Sequence, residues 1–144
     1  MEAYRPPERL EPDVLADLGL ATSTSELIDA VKSGLPAGTF VALARALGIS
    51  EGRLAGVVGL SPSTLARRKR GGELSPAESE HVLRIARLLE RAAGVFGDLA
   101  DASAWLAHPN VSLGGRTPLD FADTELGARE VEDLLGRIEH GVYS

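Results

Sequence analysis

Apolar residues recur at three- and four-residue spacing along most of this chain. No β-branched run alternates over strand length, so the pattern predicts an all-α fold. Leu27, Ile28 and Val31 mark one face of a helix over Glu26–Ser33, entered through Ser23 and ended at Gly34. A shorter helix over Asp13–Leu20 also fits. Phe40, Val41, Leu43, Ala44 and Leu47 define a helix over residues 37–47 that Gly48 stops. Ser50 caps the next, with Leu54, Val57 and Val58 inward and Gly59 at its end. Ser61 caps a third, with Pro62 at its first position, running to Gly71-Gly72. Ser75 and Glu78 have capping-box spacing and open a longer helix striped by Val82, Ile85, Ala86, Leu89, Ala93 and Phe96.

Beyond Gly97 the punctuation is dense. Asp98 can cap a short helix carrying Trp105 and Leu106, and Pro109 stops it. Gly114-Gly115 turns the chain. Thr117 caps a helix with Pro118 at its first position and Asp120 at its third, and Thr124 caps the last. There Val131, Leu134, Leu135 and Ile138 share one face, and Gly141 ends the helix. The closing Val142-Tyr143-Ser144 is apolar and aromatic and is expected to bind something. The chain therefore divides into an N-terminal segment (1–35) with one or two short helices, a helix-turn-helix domain (36–97) and a small helical C-terminal domain (98–144).

Composition narrows the options. Aromatic residues make up only 4%, so the core rests on Leu, Val, Ile and Ala. There is no cysteine, which removes disulfides and Cys-based zinc sites. No stretch approaches membrane-spanning length, and residues 1–12, rich in Pro and polar groups, read as mobile and lack the core of a signal peptide. A cytoplasmic protein with no membrane contact is expected. The net charge of −6 argues against indiscriminate nucleic-acid binding, but it is unevenly spread. Residues 36–72 carry six basic side chains against one acid, Glu51, while residues 98–144 carry nine acids against three bases. A basic module between acidic flanks can meet phosphate locally.

That module holds two short helices joined at a glycine turn, the second one basic, which is the helix-turn-helix pattern. The N-terminal part of the second helix would place Ser63, Thr64 and Arg67 nearest base edges. Arg68, Lys69 and Arg70 would meet phosphates, with Arg45 and Arg53 adding contacts. The competing reading is a solvated basic helix end that favours the dipole, which accounts well for Lys69 and Arg70. It does not account for four consecutive cations with no acid between Arg53 and Glu73. A lone helix-turn-helix buries little surface, so a homodimer on operator DNA is expected. Leu83 and Leu88 form a second apolar strip on the long helix, which either makes the dimer contact or packs within one subunit.

In the last helix, Asp133 and Arg137 have ion-pair spacing, worth about 0.3 kcal/mol. Gly136 costs about 1 kcal/mol relative to Ala in mid-helix. A glycine there suggests close approach of another backbone, from this chain or a partner.

Trp105-Leu106, LGGRTPLD (113–120), GAREVE (127–132) and LLGRIEHGVYS (134–144) closely resemble the toxin-binding domain of Xre/MbcA/ParS-type antitoxins. GLP (34–36), STLARRKR (63–70) and LSPAE (74–78) are similar to the Xre-like helix-turn-helix of the same proteins. The resemblance covers about residues 26–144. It implies a type II antitoxin that inhibits a RES-domain toxin, an NAD⁺-degrading enzyme, by obstructing its active-site entrance. It also implies repression of the antitoxin's own operon. On the same basis the toxin contacts would be Arg116, Arg137, His140, Gly141, Val142, Tyr143 and Ser144. Each arginine has a plainer alternative: Arg116 as a donor to nearby turn carbonyls, Arg137 as the partner of Asp133. Tyr143 could instead pack on this chain's own core.

Nothing in the sequence suggests catalysis. His81, His108 and His140 lie in separate segments without metal-ligand spacing, and no nucleophile elbow, P-loop or dinucleotide fingerprint is present. No catalytic residue, metal or cofactor is expected. The alternative to an antitoxin is a stand-alone helix-turn-helix transcriptional regulator whose C-terminal domain recruits another protein.

Overall fold

The computed structural model describes residues 13–21 and 23–141. They form α1 (Val14–Asp17), α2 (Thr24–Ser33), α3 (Ala37–Leu47), α4 (Glu51–Val58), α5 (Pro62–Gly71), α6 (Pro76–Phe96), α7 (Leu99–Ala107), a 3₁₀ turn (Val111–Leu113), α8 (Pro118–Phe121) and α9 (Glu125–Glu139). Among the described residues there is no strand, only a lone antiparallel bridge between Pro36 and Glu73. The protein is all-α, a helix-turn-helix followed by a helical C-terminal module. Residues 1–12, which were expected to be mobile, and Val142–Ser144 lie outside the described residues.

The expected caps form. Ser23, Ser50, Ser61, Ser75, Asp98, Thr117 and Thr124 each accept a hydrogen bond from the backbone N–H three residues on. Each such cap contributes about 1 kcal/mol, so helix starts are set locally. Ser75 and Glu78 complete the reciprocal capping box of α6.

Helix α6 organises the rest. It spans 21 residues, about 30 Å. Val82, Ile85, Ala86, Leu88, Leu89, Ala92 and Ala93 are buried, so it is covered on more than one side. It packs against α1 to α4 on one hand and against α7 and α9 on the other. The buried residues form one continuous core from Val14 to Leu135. Leu88, half of the second apolar strip, is buried within the subunit, while Leu83 is only partly covered.

Polar ties cross between the modules. Ser103 Oγ donates to Ala46 O at 2.8 Å, joining α7 to α3. Arg53 Nη2 donates to Ala107 O at 3.1 Å, joining α4 to the end of α7. The buried Leu35 N–H donates to Ser79 Oγ at 2.8 Å, and Ala37 N–H to Gly72 O at 2.8 Å, which ties the end of α5 to the start of α3.

Two glycines are fixed by sterics. At Gly34, which also takes φ 92°, a Cβ would fall onto the carbonyl oxygen of Leu74. A Cβ at Gly127 would fall onto the carbonyl oxygen of Phe121, because α9 starts hard against the end of α8. Gly136, where the sequence suggested a close backbone approach, has nothing within 4 Å of a Cβ position. No backbone of this chain approaches Gly136 among the described residues, so that half of the expectation fails.

Candidate functional site

The helix-turn-helix is α4, a turn at Gly59, and α5. Gly59 takes the left-handed conformation (φ 79°), the geometry that ends α4 and redirects the chain into Ser61. Leu60 and Leu65 sit in the core and hold α5 against α3 and α4. The opposite side of α5 is solvent.

At the N-terminus of α5, Ser61 Oγ accepts from Thr64 N–H at 3.2 Å and donates to Thr64 Oγ1 at 2.9 Å. Ser63 is exposed, its hydroxyl 3.3 Å from that of Ser61. Thr64 is half-buried, so its hydroxyl serves the cap and Ser63 is the freer of the two.

The four cations separate into two kinds. Arg68 Nε and Nη2 donate to Glu78 Oε1 and Oε2 at 2.9 and 3.2 Å. Lys69 Nζ donates to Glu51 Oε1 at 2.8 Å. Arg67 and Arg70 are exposed and form no hydrogen bond or ion pair among the described residues. The two neutralising acids lie outside the acid-free stretch from Arg53 to Glu73 in chain order, but the fold brings them alongside it. Burial pushes Glu78 up, yet the hydrogen bonds from Arg68 and Ser75 and the Arg68 charge outweigh it and leave the carboxyl below the usual range. The Glu78 hydrogen bond, against the opposing effect of burial, raises the already high pKa of Arg68. Arg53 is occupied by Ala107 O. Arg45 is exposed at the end of α3.

In the C-terminal module, the Arg116 guanidinium lies 5.1 Å from the centroid of the Phe121 ring, and its Nη2 is 3.5 Å from Asp120 O. The Arg116 carbonyl accepts from Asn110 N–H at 3.0 Å. Arg116 thus braces its own turn while remaining exposed. Arg137 is exposed, and the expected ion pair with Asp133 is not formed among the described residues. On a solvated helix face such a pair gains too little to fix two side chains. His140 is exposed with Nε2 4.0 Å from Glu139 Oε1, and Gly141 follows with φ 69°. Val142, Tyr143 and Ser144 lie outside the described residues.

Three features escaped the sequence pattern. Arg91 Nη1 and Nη2 donate to both oxygens of Glu139 at 2.9 and 3.1 Å, fastening the end of α9 to α6 across 48 residues of sequence. That hydrogen bonding holds the Glu139 carboxyl below its ordinary range. Val111 and Leu126 are 95% and 74% exposed. Leu126 could have been noticed, because it lies off the stripe of Val131, Leu134 and Leu135 and on the polar face with Glu130, Asp133 and Arg137.

No group of three His, Asp or Glu side chains converges on a metal-sized site among the described residues. His81 Nδ1 lies 3.2 Å from Val58 O, where it links α6 to the end of α4. No described helix is long and apolar enough to cross a membrane.

Comparison with known proteins covers both modules. Residues 26–87 match the family model of the antitoxin Xre-like helix-turn-helix domain. Residues 91–141 match that of the antitoxin Xre/MbcA/ParS C-terminal toxin-binding domain. A Yersinia enterocolitica protein named Antitoxin Xre is 34% identical over 148 aligned residues, with both chains covered in full. A Photorhabdus laumondii protein of the same name is 30% identical, again over both full chains. A chain of the M. tuberculosis MbcT-MbcA toxin-antitoxin complex shares the fold with a TM-score of 0.57 at 24% identity, covering 75% of this chain and 96% of its own.

Proposed function

This chain belongs to the Xre family of antitoxins, and from that premise we propose that it inhibits a RES-type, NAD⁺-degrading toxin and represses its own operon as a homodimer on operator DNA. The observation that carries the reading is the separation of two unsatisfied faces on one packed body. Arg67 and Arg70 stand free on α5, and Leu126 and Arg137 stand exposed on α9 with His140 exposed just past its end.

On DNA, the start of α5 enters the major groove. Arg67 reads a base edge with Ser63 beside it, and Arg70 and Arg45 meet phosphates. Arg68 and Lys69 first have to leave Glu78 and Glu51 to do the same. Their expected part as phosphate contacts is therefore smaller than four consecutive cations suggest.

On the toxin, α9 acts as a strut. Its outer end is held to α6 by the Arg91–Glu139 fork, so His140 and Gly141 are presented in a set direction. A pre-ordered end loses little conformational freedom on binding, which favours tight inhibition. Arg116, Arg137 and residues 142–144 complete the proposed contact.

The test is to express this chain with the product of the neighbouring reading frame. Co-purification, preserved cellular NAD⁺ and a retarded promoter fragment are the expected results. A neighbour unrelated to RES toxins, with unchanged NAD⁺, would favour the regulator reading.

A further inference from the structure

Helices α2, α6 and α9 enclose an open trough of about 540 Å³ that neither the DNA-reading face nor the end of α9 uses. Its floor is apolar: Leu27, Val31 and Leu88 are buried, and Leu83 is partly covered. Ile28 lines it with 48% of its surface exposed, one of three large apolar side chains so exposed among the described residues. An isoleucine left half in water above a ready-made apolar floor marks a surface that gains by being covered.

The charges around the floor indicate what covers it. Lys32 stands on α2, Arg84 and Arg87 on α6, and Arg129 on α9. Against them stand Glu80, Glu125 and Glu132. Only Arg129 and Glu125 satisfy one another, as an i,i+4 pair. Lys32, Arg87, Glu80 and Glu132 form no ion pair among the described residues. Two free cations and two free acids thus flank one apolar patch.

A rim of a single sign selects an oppositely charged partner, whereas a rim carrying both signs can complement itself through a two-fold axis. The surroundings sharpen this. The chain carries a net charge of −6, so two copies repel one another over most of their surface. The trough is nearly balanced, so copies that meet there add little local repulsion. Gly136 lies on the same side of α9 as Glu125, Arg129 and Glu132, and space is open above it for another backbone.

We infer that the α2–α6–α9 trough is the homodimer interface, with Ile28 near the two-fold axis and the cations of each copy meeting Glu80 and Glu132 of the other. The inference rests on the repressor reading, which calls for two recognition helices related by symmetry. It adds the surface that relates them.

Sedimentation velocity of the full chain at micromolar concentration tests it, with far-UV circular dichroism to confirm folding. Wild type should sediment as a dimer. Ile28→Glu should weaken the dimer by about tenfold or more, because the apolar contact is lost and two carboxylates would face one another near the axis. A double variant Lys32→Glu with Arg87→Glu and a second, Glu80→Lys with Glu132→Lys, should each be monomeric. Mixed together they should form a heterodimer. Because the chain has no cysteine, Ile28→Cys offers a single thiol that a bifunctional maleimide should couple between copies, and Val111→Cys should not couple.

A monomeric wild type, an Ile28→Glu chain that dimerises as well as wild type, or an uncoupled Ile28→Cys would overturn the assignment. So would Ile28→Glu losing the toxin while keeping the dimer, since the trough would then be the toxin's seat. A dimer built through the trough that binds no operator leaves the inference standing and removes the repressor reading instead.

Discussion

Arg68 grips Glu78 with both arms of its guanidinium, at 2.9 and 3.2 Å, and the same carboxylate accepts from Ser75 N–H at 2.8 Å. One side chain therefore caps α6 and pins α5 to it. Arg68 belongs to the most basic stretch of the chain, yet the structure turns it toward the protein. The aim of α5, and with it the direction of Arg67, follows from that pin.

Arg68 and Arg70 should therefore behave differently on DNA. Replacing a phosphate contact weakens binding to all sequences alike and reduces the salt slope of log affinity by about 1. Arg70→Ala should do so. Arg68→Ala should lower specific binding while leaving the salt slope nearly unchanged. Fluorescence anisotropy on operator and unrelated duplexes over a salt series makes the comparison. Equal slope losses in both variants would place Arg68 on phosphate after all.

Arg67→Ala should cost about 1–3 kcal/mol of specific binding and little non-specific binding, as expected for a lost bidentate base contact. Gel-shift titration on the operon's promoter and on a scrambled duplex gives the ratio. An unchanged ratio would show that Arg67 reads no base.

The Arg68–Glu78 pair also has a pH signature. The Glu78 carboxyl is lowered from its ordinary 4.5 in the folded chain, so its contribution is fully present above that value. The contribution is lost as pH falls from there through the lower folded value. Thermal stability of wild type should therefore fall more steeply than that of Glu78→Gln as pH drops below 4.5. Parallel curves for the two proteins would mean that the pair contributes nothing to acid stability.

What the sequence could not disclose has a common cause. Every cap and glycine stop rests on groups within four residues of one another, so Ser50, Ser61, Ser75, Thr117 and Thr124 announce themselves. The pairs that orient the two faces join residues 10, 18 and 48 apart: Arg68–Glu78, Lys69–Glu51 and Arg91–Glu139. No period or motif marks them. Asp133 and Arg137 show the reverse error, with correct spacing on a solvated face and no pair formed. Leu83 and Leu88 look alike in sequence, but one is only partly covered and the other is buried in the floor of the trough that both line.

The two glycines of α9 should separate fold from partner. Gly127→Ala pushes a methyl into Phe121 O and should destabilise the chain by several kcal/mol, since backbone must move. Gly136→Ala has open space and should stabilise it by up to about 1 kcal/mol. If another backbone lies over that spot in a complex, the stabilised variant will nevertheless bind its partner more weakly. Chemical denaturation and partner titration on the two variants supply both readouts. A Gly136→Ala chain that is more stable and assembles as well as wild type would show that nothing approaches there.

Removing residues 141–144 should separate inhibition from folding. Helix α9 ends at Glu139, with Val131, Leu134 and Leu135 already buried and Glu139 already held by Arg91. Every described core residue lies before the cut, so the melting temperature and promoter binding should stay close to wild type. Protection from the toxin should disappear, because a strut without its tip can dock on the toxin's surface without entering the active-site mouth. Growth and cellular NAD⁺ during co-expression with the toxin are the measurements. Full protection by the shortened chain would move inhibition onto the solvent face of α9, where Leu126 and Arg137 already stand exposed.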